Sequence, residues 1–167
     1  QSELDAAWSR FDVDWGGVDE VLYRLCSEHP GHENRRIVTA KLALVGRVYA
    51  AGLERRVTPP PGEQAIAIIA NHVRSHGPQV DGVIRTLSSV QEPLDARAME
   101  SIVEQHGRLT GLLQKVTTDG KAPRSFASKY LHFHHPVVPI YDEYVRQTIT
   151  RLVRWDASLA LFPLPPH

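Results

Sequence analysis

Three observations predict an all-α fold for this chain. Apolar residues recur at helical rather than alternating spacing in each long segment between Val18 and Val153. The segments are separated by glycine and proline, which end helices. The one stretch that could pass for a strand, residues 137–141, follows Pro136 and contains Pro139, and proline cannot donate to a ladder.

With 167 residues the chain predicts one domain, able to bury about two-thirds of its unfolded surface. A composition 42% hydrophobic and 23% charged belongs to a globular protein rather than a disordered one. No apolar run approaches the roughly 20 residues that span a bilayer, and the N-terminus carries no signal-peptide pattern. No membrane partner is therefore expected. The single cysteine, Cys26, allows no internal disulfide and falls on an apolar stripe, so a buried thiol in a reducing cytoplasm is expected. A monomer is the expected state.

Three regions follow in order: acidic N-terminal helices over about residues 1–30, central helices over about 33–116, and a hairpin-like elbow region over about 117–154. Residues 2–11 read as a short helix opened by Ser2 and Asp5 in a capping-box arrangement. After Gly16-Gly17, the residues Val18, Val21, Leu22, Leu25 and Cys26 make one helical face, closed by Pro30-Gly31. The longest helical pattern runs from Glu33 to Arg56. Ile37, Ala40, Leu44, Val45 and Val48 form its stripe, and Val38, Leu42 and Tyr49 widen it. Lys41 and Arg47 then read as rim charges, or as contacts to a ligand in a central groove. The stiff Thr58–Gly62 connector leads to a helix on Ala65, Ile66, Ile69 and Val73, and a short one follows over Val80–Leu87. Glu92-Pro93-Leu94 reads as the start of a long helix with proline in its first turn. Its stripe is Leu94, Ala98, Ile102, Leu109, Leu112, Leu113 and Val116. Near the end, Leu159–Pro163 reads as a cover for the core.

Formal charge sums to zero, which argues against strong non-specific nucleic-acid binding, but the charges are unevenly spread. Residues 1–28 hold seven acids against two bases, whereas 33–56 hold six Lys/Arg against two acids and 119–154 hold six against three. Such a chain has the makings of a face for phosphate, or simply of separate solvated helix faces.

Residues 124–154 read as two helices joined by a proline-bounded elbow that brings Asp142 to the start of the second. By spacing alone Asp142 is an N-cap. After it, Val145, Thr148, Ile149, Leu152 and Val153 predict one buried stripe.

The segment VPIYDEYVRQTITRL resembles the helix-hairpin-helix DNA glycosylases. In that family Val/Ile-Pro-Val/Ile-x-Asp leads into a helix continuing Val-x-Arg-x-x-x-x-Arg-Leu, and the adenine-excising branch has the most similar pattern. Val138, Pro139, Ile140, Asp142, Val145, Arg151 and Leu152 fit; the mid-helix arginine stands one place early, at Arg146. Upstream, Arg124-Ser125-x-Ala127 resembles the Arg-Ser-Thr-Ala that opens the family's second hairpin helix. The hairpin itself departs from the pattern, because Thr118–Pro123 replaces Leu-Pro-Gly-Val-Gly and the phosphate grip is put in doubt.

The resemblance implies a compact helical glycosylase-like core with DNA as partner. No cofactor is expected, and the lone cysteine and the lack of regular ligand spacing predict no metal. Asp142 would be the catalytic carboxylate, stabilising the oxocarbenium-like transition state that forms as an N-glycosidic bond breaks. Ser125 stands where bifunctional relatives place a nucleophilic lysine, which implies a hydrolytic, monofunctional enzyme. Lys121 and Lys129 remain open as displaced amines. A flipped base needs aromatic walls, for which Tyr141 leads, followed by Tyr130, Phe133 and Tyr49. Lys121, Arg124, His132, His135, Arg146 and Arg151 are the candidate DNA contacts. Damaged bases in repair and modified bases in foreign DNA are the substrate classes left open.

Two competing readings remain. His132-Phe133-His134-His135 with Asp142 or His106 could ligate a metal in a nuclease or hydrolase, though no regular zinc spacing is matched. The histidines could instead bond DNA phosphates or the elbow backbone. The fold could also serve as a non-catalytic helical binding module.

Overall fold

The structure, a computed structural model, describes residues 16–155, with side chains as far as Arg151. The helix expected over 2–11 and the apolar cover expected at 159–163 lie outside the described residues. Within them the fold is all-α, with seven α-helices and no strand. No helix among the described residues is long and apolar enough to cross a membrane.

Helix α1, Gly17–Glu28, places Asp19 and Glu20 at the positive end of its dipole and buries Leu22 and Cys26, two positions of the expected stripe. Helix α2, Arg35–Ala43, is capped by Asn34, whose side chain accepts from the N–H of Arg36 and of Ile37. It is much shorter than the pattern over 33–56 suggested. One π turn follows at Leu44–Val48, then Ala50 and Gly52 at positive φ (51° and 64°), then a 3₁₀ turn at Leu53–Arg56. At Gly52 the left-handed backbone suits glycine, and a Cβ there would also meet the Arg55 guanidinium at 2.7 Å.

The buried side of α2 is Val38, Lys41 and Leu42, continued by Val45, rather than the Ile37–Ala40–Leu44 line. Lys41 is thus no rim charge, for its side chain is fully buried. Its ammonium donates to the His29 carbonyl and lies 3.5 Å from His134 Nε2. Those partners come from other elements and make the burial tolerable.

Helices α3 (Ala65–Ser75) and α4 (Gly77–Leu87) follow the connector, and α3 packs on α2. Helix α5, Ala96–Gln114, starts later than expected, because Asp95 is its N-cap and accepts the Ala98 N–H at 2.7 Å. Pro93 therefore lies ahead of the helix, not in its first turn. Helix α6, Arg124–His134, packs against both α1 and α5, and buries Phe126, Ala127, Tyr130, Leu131 and Phe133.

Helix α7, Glu143–Trp155, follows the elbow. Its expected stripe is not covered among the described residues: Val145 is 36% and Ile149 43% exposed. The elbow positions the start of this helix, not its length.

Candidate catalytic cleft at the elbow

Helix α6 presents a polar face to the elbow. Ser125, Ser128, Lys129 and His132 stand at i, i+3, i+4 and i+7, and so share one side of the helix. The elbow turns at Pro136 and Val137, bends at Val138 and then runs to Asp142 without regular structure, so most of its backbone groups need partners from elsewhere. That face of α6 supplies them. Tyr141 N–H donates to Ser128 Oγ (3.0 Å), and the Ser128 hydroxyl returns a bond to the Tyr141 carbonyl (2.9 Å), with the Ser125 carbonyl also in reach at 3.2 Å. His132 Nδ1 donates to the Val138 carbonyl (2.8 Å), which leaves Nε2 to accept from Tyr23 of α1 (2.7 Å). Lys129 Nζ donates to the Tyr49 carbonyl (3.0 Å) and lies 3.7 Å from Asp142 Oδ2.

The elbow thereby delivers Asp142 to the rim of a cleft of about 500 Å3, lined by Arg56, Arg124, Ser125, Phe126, Tyr141 and Asp142 among others. Asp142 is the N-cap of α7 as well, for its Oδ1 accepts the Val145 N–H at 3.1 Å. The two readings of this residue are geometrically compatible, since capping occupies one oxygen and the side chain remains 24% exposed.

The cleft brings together Asp142, Ser125 and Tyr141, together with Arg124 and Arg146, from the residues singled out in the sequence. Three aromatic candidates fall elsewhere. Tyr130 and Phe133 are core residues, 2% and 3% exposed. Tyr130 donates to His32 Nε2 (2.7 Å), whose Nδ1 bonds Asp81 Oδ1 (2.6 Å), and burial pushes the Tyr130 hydroxyl well above its ordinary pKa. The Tyr49 ring packs on Phe133 and its hydroxyl donates to Asp19; burial first, then that bond, raises its pKa. None of the three walls the cleft.

The histidines tie the fold together. His132 holds the elbow backbone, His135 Nε2 donates to the Val90 carbonyl (2.9 Å), and His106 Nε2 donates to the Arg124 carbonyl (2.9 Å). His132 and His135 are therefore engaged with backbone rather than offered to phosphate. His134 has its pKa pushed well below the ordinary value by burial, and further by Lys41 and His32. No group of three or more His, Cys, Asp or Glu side chains among the described residues could hold a metal ion.

The basic candidates differ in availability. Arg146 forms a two-point ion pair with Glu143 (2.6 and 2.8 Å), which holds the Glu143 carboxyl down at about 2, with Gln147 assisting. Arg56 pairs with Asp119 at 3.1 Å. Arg124, Lys121 and Arg151 are exposed, and none has an ion-pair partner among the described residues. In the α5–α6 turn Gly120 takes φ 66°. The Lys121 N–H, a donor that a phosphate grip would use, is bonded to Asp119 Oδ1 (3.0 Å).

Ser128 was not singled out by sequence reasoning. Its signal was available, because it completes the 125/129/132 face, but the elbow that face holds becomes visible only in three dimensions. Comparison with family models, with curated proteins and with solved structures gave no match.

Proposed function

We propose that the chain is a DNA glycosylase-like hydrolase that releases a damaged or modified base from a nucleotide flipped into the α6–α7 cleft. The observation that carries this reading is the place of Asp142: a carboxylate that lines a cleft of about 500 Å3 together with Tyr141 and Ser125. As the C1′–N bond breaks, its electron pair leaves on the base and positive charge develops on the sugar. A fixed carboxylate stabilises that charge without having to reorganise. Water then adds its oxygen to C1′ and yields its proton to the carboxylate or to the departing base. Arg124, the first residue of α6, lines the cleft and is exposed, which supports a phosphate contact there.

Lys129 does not line the cleft, and its amine donates to Tyr49. That supports hydrolysis over amine attack on the sugar. One observation favours a non-catalytic binding module instead: Asp142 already has a capping bond and a cationic neighbour.

The deciding experiment is an abasic-site assay on normal, damaged and hypermodified duplexes, with wild type and Asp142→Asn, with and without chelator. Release by wild type alone, unaffected by chelator, is the expected result. DNA binding without base release from any duplex would leave the binding module as the reading.

A further inference from the structure

One buried hydroxyl at the elbow is not used by the chemistry above. Ser128 is 1% exposed and sits one helical turn from Ser125, which lines the cleft. Its Oγ accepts from the N–H of Tyr141 and donates to the carbonyl of the same residue. Both backbone polar groups of the residue immediately before Asp142 are thus matched to one side chain. No backbone group performs that task, for the other backbone bonds near the elbow are Val138 N–H to the His135 carbonyl and Arg146 N–H to the Asp142 carbonyl. The peptide plane leading into Asp142 is therefore held by Ser128, with the Lys129 ammonium 3.7 Å from the carboxylate.

We infer that Ser128 is the positioning residue of the cleft, setting where the Asp142 carboxylate stands relative to Ser125 and Arg124. The inference rests on the glycosylase reading for its catalytic consequence, but not for its structural one. Removing the hydroxyl leaves the part-buried Tyr141 N–H and carbonyl without their partner, and the elbow relaxes to recover bonds elsewhere. A carboxylate displaced by about 1 Å loses most of its value to a developing charge, on the order of 10²-fold in rate. Alanine at 128 removes the hydroxyl alone; threonine keeps it.

The test compares wild type, Ser128→Ala and Ser128→Thr in the full chain. Three quantities are read: amide exchange at Tyr141 against Leu109 and Leu131 in the core, the Val145 amide-proton shift that reports the Asp142 cap, and single-turnover base release with KM. For Ser128→Ala the expected result is at least about tenfold faster exchange at Tyr141 with core amides unchanged, and a moved Val145 resonance. Release should slow by at least about tenfold while KM stays within about twofold, and threonine should restore both. Unchanged Tyr141 exchange, or exchange rising equally in the core, overturns the inference. So does faster Tyr141 exchange with no change in release. Should wild type release no base from any duplex, the glycosylase reading falls by itself. The exchange and Val145 readouts then decide whether Ser128 sets the elbow.

Discussion

Lys129 and Asp142 face each other at 3.7 Å across the junction of α6 and the elbow, and the lysine is held there by a 3.0 Å bond to the Tyr49 carbonyl. The pair joins three parts of the chain that are distant in sequence: the turn after α2, the middle of α6 and the first residue before α7. Of the two, only Asp142 lines the cleft.

Asp142→Asn is expected to abolish base release, by at least about 10²-fold, with little change in thermal stability. Asparagine caps a helix about as well as aspartate, so α7 keeps its start while the charge is lost. Asp142→Ala removes both, and should lower stability by about 1 kcal/mol as well. The assays are single-turnover release and thermal melting followed by circular dichroism. An Asn variant with wild-type release per folded molecule would make Asp142 a cap and nothing more.

Borohydride trapping on abasic DNA should yield no covalent complex with wild type. The Lys129 amine lies off the cleft and is bonded to a backbone carbonyl, so it is not placed to attack the sugar. Appearance of a trapped species that vanishes in Lys129→Ala would reverse the assignment and make the enzyme a lyase.

Stability should fall as pH drops below about 6.5, the ordinary histidine value. His134 and His32 are both held below that value in the fold, primarily by burial. His134 is faced by Lys41, His32 and Tyr130; His32 by Asp81, Tyr130 and Lys41. Below the ordinary value the unfolded chain takes up protons that the fold refuses. The stabilisation is therefore complete above it and is lost on acidification, at a slope up to about 1.4 kcal/mol per pH unit for each histidine. Urea titrations from pH 7.5 to 5 measure the slope, and His134→Gln should flatten it. A slope unchanged by His134→Gln would mean that the buried cluster does not govern acid sensitivity.

Salt dependence should distinguish the arginines. Each phosphate contact steepens the dependence of log affinity on log salt by about 0.9. Replacing Arg124 is expected to flatten the slope by about one such step. Arg146 is already neutralised by Glu143, so Arg146→Ala should change it by less. Binding titrations on one duplex at several salt concentrations compare the two, and an equal or larger loss at Arg146 would mean that the ion pair opens on binding.

The all-α fold was legible from the sequence, and so were the helix break at Pro30-Gly31, the burial of Leu22, Cys26, Ile66, Ile69 and Val73, and an elbow delivering Asp142 to a helix start. These follow from local rules: periodicity, proline's missing N–H, and the side-chain preferences of a cap. Asp95 obeyed the same rules but stood two residues behind a proline that offered a competing start. Tertiary structure decided the rest. Lys41 is buried because His29 and His134 come from other elements to meet it, which no spacing within α2 could announce. His132 and His135 became backbone ties because the elbow and Val90 offered carbonyls where they point. Tyr130 and Phe133 went to the core because α6 packs on two helices at once. Periodicity identifies which positions share a helix face, whereas the partner of a buried polar group is set by which distant segment comes within about 3 Å of it.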